Sequence, residues 1–247
     1  GKKKNSKNIA DPIIVHPEIR KNLLHMKSIN EGVRALTLWV GTQFDIINST
    51  TEAKIKTEAE NIIALMTPIL KSFSSDLGCE SANLALQIYG GHGYIKDHGI
   101  EQLIRDARIT PIYEGTNGIQ ALDLVGRKMN FNDGEIINNF FSIIDNYLMD
   151  INLNKDIDFK IIIAQFTKSY KELIDVTNYL KSTDPNEVSG AAVEFLNMFS
   201  YVSIGYVWLK MINISVRKNN DKKNNFLTTK INTGKYYFNK VLPKTYT

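Results

Sequence analysis

Gln87-Ile88-Tyr89-Gly90-Gly91-His92-Gly93-Tyr94, followed by Arg105-Asp106-Ala107-Arg108-Ile109-Thr110-Pro111-Ile112-Tyr113-Glu114-Gly115-Thr116-Asn117-Gly118-Ile119-Gln120, decides how this chain is read. Gly90-Gly91 stops a long helical pattern, because glycine accepts the backbone turn that closes a helix. A short apolar stripe at Ile100, Leu103, Ile104 and Ala107 predicts a second, brief helix. Pro111 ends it, since the residue before a proline avoids the helical region. Glu114 then sits on a tight loop, and Thr116 or Asn117 caps the next helix, whose apolar positions are Ile119, Leu122 and Val125.

Upstream, His16-Pro17 predicts a helix start, because proline suits the first helical position. Ile19, Leu23, Met26, Val33, Leu36, Val40, Phe44 and Ile47 recur every three or four residues, a long stripe with one buried face. The polar break at residues 48–51 offers caps for a second long helix. Its stripe runs through Ile55, Ala59, Ile62, Met66, Ile69, Phe73 and Leu77, with a kink or break expected at Pro68.

Downstream, Asn130 to Gly134 is a polar turn and the best domain boundary. Ile136, Phe140, Ile144 and Tyr147 define one helix beyond it, and Phe159, Ile162, Phe166, Tyr170, Leu173 and Leu180 another. Asp184-Pro185-Asn186 reads as a turn, followed by a stripe from Val188 to Leu209. Residues 219–225 read as a loop, and Ile231 to Leu242 as a final helix stopped by Pro243. No segment alternates with period two. The expectation is an all-α fold: an antiparallel helical bundle over residues 1–130, opening on a basic loop at 1–10, and an additional helical domain over 131–247.

The chain has 247 residues, 43% hydrophobic and 23% charged, which suffices for a buried core. Its net charge is +4, much of it local to Lys2, Lys3, Lys4 and Lys7. No aromatic residues interleave with these lysines, so a solvated end is favoured over a nucleic-acid platform. Cys79 is the single cysteine, which excludes an intrachain disulfide. The most apolar window, Val202 to Leu209, is far shorter than the ~20 residues a membrane-spanning helix needs. With no signal-peptide pattern, these features predict a soluble, cytoplasmic protein with no membrane partner. The four histidines lie at no metal-ligand spacing.

A carboxylate on a loop can serve as a general base when its surroundings desolvate it. Pro111 and Gly115 fix the backbone around Glu114, and glycine removes a side chain where a ligand presses on the main chain. Read from the residues alone, a lone glutamate before a helix is usually a solvated charge near a favourable dipole end. Gly90-Gly91 after a helix is more often a plain cap than a cofactor cradle.

The two stretches together resemble the C-terminal helical region of the acyl-CoA dehydrogenase family. The resembling residues are Gln87 through Tyr94 and Arg105 through Ile109, with Ile112-Tyr113-Glu114-Gly115-Thr116. Ala10 through Pro17, Glu31-Gly32-Val33-Arg34-Ala35-Leu36, and Glu114 through Leu124 resemble a larger-subunit branch with an extra C-terminal helical domain. That branch includes 3-methylmercaptopropionyl-CoA dehydrogenases and related fatty acyl-CoA dehydrogenases.

The resemblance implies that Glu114 removes the α-proton of an acyl-CoA thioester while the β-hydrogen passes as hydride to FAD, giving a trans-2-enoyl-CoA. It implies that Tyr113 and Gly115 contact substrate, and that Thr116, Asn117 and Gly118 lie along the FAD. It further implies that Gln87, Ile88, Tyr89, Gly90 and Gly91 contact FAD, in this family typically that of the neighbouring subunit. Many members carry Gln where this chain has Gly118, so only a backbone contact is implied there. Electron-transfer flavoprotein or a similar acceptor, and a homo-oligomer of two or more subunits, follow from the same resemblance. The family's N-terminal helical domain and middle β-barrel are not in this sequence, which predicts part of a longer enzyme, inactive alone. Two other classes stay open: a nucleic-acid-associated flavoprotein offshoot, supported by Lys2 to Lys7, and a non-catalytic helical assembly subunit.

Overall fold

Pro17 opens the first helix, α1 (Pro17–Ser49), as the His16-Pro17 pair predicts. The computed structural model describes residues 10–151, 157–219 and 224–246; Lys2, Lys3, Lys4 and Lys7 lie outside them. Among the described residues there are helices and turns and no strand, in keeping with the all-α expectation. None of these helices is long and apolar enough to cross a membrane.

α1 and α2 (Ala53–Tyr89) are long antiparallel rods of 33 and 37 residues. At 1.5 Å per residue they extend roughly 50 and 55 Å. The polar break between them does not cap α2 as expected. Glu52 occupies the cap position without a side-chain bond, and the Thr50 hydroxyl instead accepts from the Glu52 N–H at 3.2 Å. Of the kink or break expected at Pro68, the break is absent, for α2 runs continuously through it. Pro68 is buried there among Leu65, Met66 and Ile69. Packing of this apolar face outweighs the ~3 kcal/mol that proline costs inside a helix.

The α1 stripe needs a second correction. Leu36 and Val40 are buried as predicted, but Leu23 and Phe44 are exposed, while Ser28, Gly32 and Gln43 are buried. The reason is α9 (Ala192–Lys218), which crosses α1 so closely that a Cβ on Gly32 would stand 2.5 Å from Ile204 Cγ2. At the crossing the small residues Ser28 and Gly32 face the core beside Ile29 and Leu36.

Gly90, at φ 61°, closes α2. The short α3 (Gly91–Tyr94) follows, and α4 (Ile100–Arg108) folds back along α2. The Cys79 thiol on α2 donates to the Ala107 carbonyl on α4 at 3.3 Å, fastening the return. α5 (Asn117–Asp123) begins at the predicted cap, where Thr116 Oγ1 accepts from the Ile119 N–H. It runs on into a π-helical turn, Leu124–Lys128. Of its expected apolar stripe only Val125 is buried. Ile119 and Leu122 face solvent, and Ala121 and Leu124 take their places in the core.

The second half consists of α6 (Glu135–Ile151), α7 (Ile157–Lys181), α8 (Pro185–Gly190), α9 and α10 (Asn225–Tyr236). Asp184-Pro185-Asn186 is a helix start rather than a turn: Asp184 caps α8, accepting from the Asn186 N–H at 2.9 Å. α9 accordingly begins at Ala192, not at Val188. The last helix begins earlier than expected, at Asn225, because Asn224 caps it through the Leu227 N–H. It widens into a π turn at Tyr237–Val241, and Pro243 lies within the final 3₁₀ turn.

α9 is apolar almost all round, with Phe195, Phe199, Val202, Trp208 and Ile212 buried, as suits a central helix. α1, α2, α5, α7 and α10 pack around it. One continuous core, from Ile29 to Leu242, joins the residues on both sides of Asn130–Gly134. The Lys230 ammonium, 2.6 Å from Glu31, ties α10 to α1.

Candidate functional site

The loop after α4 is held from beneath by α2. Its hydrogen bonds are local first: the Ile112 and Tyr113 N–H groups both reach the Ile109 carbonyl, and the Asn117 N–H reaches Pro111. The turn forces two consecutive residues into the left-handed region, Glu114 at φ 56° and Gly115 at φ 81°. For a glutamate this is an unfavourable backbone state, retained only where surroundings over-determine it. Gly115 is required: besides its φ, a Cβ there would lie 3.2 Å from the Gln120 amide, which donates to the Glu114 carbonyl at 3.1 Å.

The tether to α2 is polar. Lys71 Nζ donates to the Gly115 carbonyl at 2.6 Å and to Asn117 Oδ1 at 2.9 Å. The Asn117 amide nitrogen lies 3.0 Å from the Ser72 carbonyl, 3.0 Å from Ser75 Oγ and 2.8 Å from Asp76. Partial burial beneath the loop pushes the Asp76 carboxyl up, offset only in part by Asn117, Lys71 and Arg108. Burial likewise pushes up the Cys79 thiol, which leaves it a poor nucleophile. Between loop and helix lies a cleft of about 390 Å³ lined by Lys71, Ser74, Ser75, Gly78, Ala107, Thr110, Tyr113 and Glu114.

Tyr113, Glu114 and Gly115 thus come together at one cleft, with Thr116 and Gly118 exposed beside them. Asn117 turns its side chain inward to α2. Gln87, Ile88, Tyr89, Gly90 and Gly91 do not join this cleft. Gln87 lies twelve residues beyond Ser75 on α2, roughly 18 Å along the axis. It lines a separate cleft of about 520 Å³ with Lys21, His25, Glu80, Tyr236 and Lys240. There His25 Nε2 and Glu80 Oε1 are 3.0 Å apart. The His25 hydrogen bond outweighs burial and, with the charges of Lys244 and His25, holds Glu80 below the usual carboxylate range.

Sequence reasoning singled out neither Lys71 nor Asp76. The signal available was the polar set Lys71, Ser72, Ser74, Ser75 and Asp76 around Phe73 of the apolar stripe.

Residues 4–129 match the family described as acyl-CoA dehydrogenase, C-terminal domain. Residues 138–247 match the family described as acetyl-CoA dehydrogenase C-terminal like. A 3-methylmercaptopropionyl-CoA dehydrogenase of Ruegeria pomeroyi is 33% identical over 80% of this chain and 34% of its own length. A butyryl-CoA dehydrogenase of Syntrophomonas wolfei is 27% identical over 94% of this chain and 39% of its own. This chain therefore spans 34% and 39% of the lengths of those two relatives.

Among solved structures, Caenorhabditis elegans ACDH-11 in complex with C11-CoA matches 93% of this chain and 37% of its own, at a TM-score of 0.77 and 17% identity. An acyl-CoA dehydrogenase complexed with FAD from Bacillus anthracis matches 96% of this chain and 42% of its own, at 0.71 and 18%. These likenesses bear on the fold. With the two family matches and the Ruegeria relative, they lead to one conclusion: the chain belongs to the acyl-CoA dehydrogenase family, whose C-terminal helical region it carries.

Proposed function

We propose that this chain is the C-terminal part of an FAD-dependent acyl-CoA dehydrogenase and supplies its catalytic base, Glu114. The observation that carries the reading is a glutamate held at positive φ on a fastened loop, at the mouth of a cleft. An α-proton beside a thioester is weakly acidic, so the base must be placed close and kept dry. Glu114 takes that proton on a carboxylate oxygen as the α C–H bond breaks. Tyr113 lines the acyl side of the cleft, and Gly115 lets the substrate approach the main chain.

The exposed residues fit FAD as parts of its wall. A Cβ on Gly90 or Gly91 would meet no atom within 4 Å, so the backbone there is open to a ligand. Thr116 and Gly118 are exposed beside the base. The distance along α2 between Gln87 and the Glu114 cleft favours two different flavins, the one at Gln87 to Gly91 belonging to a neighbouring subunit. Bound flavin supplies the acceptor for the β-hydrogen and its electrons. An electron-transfer flavoprotein and a homo-oligomer complete the proposed set of partners.

We place the domain boundary at Asn130–Gly134, with both domains sharing the core around α9. The 247-residue chain alone leaves Tyr113 and Glu114 open to water and is expected not to turn over acyl-CoA. The names of the Ruegeria and Syntrophomonas relatives put 3-methylmercaptopropionyl-CoA first among substrates to test, and butyryl-CoA second.

The test is an anaerobic titration of the flavin-loaded enzyme that contains this chain with these thioesters and longer acyl-CoAs. Bleaching of the flavin by at least one supports the reading. An oxidised flavin that stays bound and unbleached by all of them contradicts it.

A further inference from the structure

We propose that Lys71 is a positioning residue for Glu114, an inference that rests on the reading of Glu114 as base. Both hydrogen bonds of the Lys71 ammonium go to the loop: to the Gly115 carbonyl at 2.6 Å, and to Asn117 Oδ1 at 2.9 Å. The first of these carbonyls belongs to the residue directly after the base. The second acceptor belongs to the side chain that fastens the loop to Ser72, Ser75 and Asp76. One cation on α2 therefore grips the loop at two points that bracket Thr116, just beyond Glu114.

The grip has a specific task. Glu114 and Gly115 are both left-handed, and an unrestrained glutamate relaxes away from positive φ. Turning the Glu114 backbone back would swing the Gly115 carbonyl off the ammonium and cost this half-buried donor the shorter of its two hydrogen bonds. The Lys71 contact thus opposes the relaxation that would re-aim the carboxylate. Lysine suits the place because its ammonium offers three donors from a flexible stem that climbs from the helix to the loop. Lys71 also lines the cleft with Glu114, so the holding group stands inside the site it shapes.

The grip is confined to the loop, and that separates positioning from general support. Lys71→Met in the flavin-loaded enzyme containing this chain is expected to lower the rate of flavin reduction by saturating acyl-CoA roughly 10–100-fold, the scale of a small misplacement of a reacting group. KM is expected to stay near the wild-type value. In the flavin-free protein, amide hydrogen exchange is expected to quicken across 112–118 and to stay unchanged in α9. Lys71→Gln, which keeps an amide donor without the charge, is expected to fall between the two proteins.

Flavin reduction by Lys71→Met at the wild-type rate overturns the assignment. So does faster exchange throughout α2 and α9, or failure of both variants to fold, since either marks a merely structural residue. Glu114→Gln is measured alongside. If it reduces flavin normally, the base assignment and this inference fall together. If it is inactive while Lys71→Met is unaffected, only the positioning role falls.

Discussion

Trp208, fully buried on α9, donates its indole N–H to the Ser28 carbonyl on α1 at 3.0 Å. The two residues stand 180 positions apart in the chain, so the bond joins its first long helix to its central late one. The indole fits because α1 is small at the crossing. A Cβ on Gly32 would meet Trp208 Nε1 at 2.7 Å as well as Ile204 Cγ2.

Gly32→Ala is expected to destabilise the protein by up to about 2 kcal/mol. Overpacking of a filled core costs about 1–3 kcal/mol, and alanine recovers close to 1 kcal/mol of helix propensity. Urea unfolding should show a lower midpoint with an unchanged slope. A midpoint at or above that of the wild type would show that α9 and α1 are not locked together at this crossing.

Glu114→Gly is expected to make the folded chain more stable, by roughly 1 kcal/mol, while removing the carboxylate. A left-handed backbone costs a non-glycine residue roughly 1–2 kcal/mol, and glycine escapes it at a smaller entropic expense. Thermal or urea unfolding of the two proteins measures the difference. A less stable Glu114→Gly variant would mean that the Glu114 side chain contributes more to the fold than its backbone strain removes.

Glu80 contributes stability that depends on pH. The hydrogen bond from His25 lowers its carboxyl below the ordinary 4.5, so the folded chain holds this proton less tightly than the unfolded chain. The contribution is fully present above 4.5 and is lost as pH falls through the lowered folded value. The stability gap between wild type and Glu80→Gln should therefore narrow as pH is taken from about 7 to about 3. A gap that stays constant over that range would contradict the linkage.

Much of this was legible in local sequence. Pro17, Gly90 and Thr116 mark helix ends through backbone chemistry that acts within a few residues, and each marks an end in the structure. The Asp184-Pro185 pair and Asn224 are caps of the same kind, but they open helices where a turn and a loop were expected. The buried face of α1 was harder, because it depends on α9. Without that partner in view, Leu23 and Phe44 fit the stripe better than Ser28 and Gly32. Pro68 inside an unbroken helix is likewise a matter of tertiary packing overriding propensity. At the site, the loop from Tyr113 to Gly118 was visible as a unit. Its fastening to Lys71, Ser72, Ser75 and Asp76 was not, because it depends on α4 folding back along α2. The same geometry separates Gln87 to Gly91 from Glu114, although the two stretches are near each other in sequence.

The most direct test of Glu114 as base is anaerobic flavin reduction by acyl-CoA in the Glu114→Gln variant of the flavin-loaded enzyme. Gln is close in size to Glu, so flavin should remain bound. The rate of reduction should fall by about 10²–10⁴-fold, the range over which a positioned general base acts. Flavin retained and reduced at the wild-type rate would contradict the account.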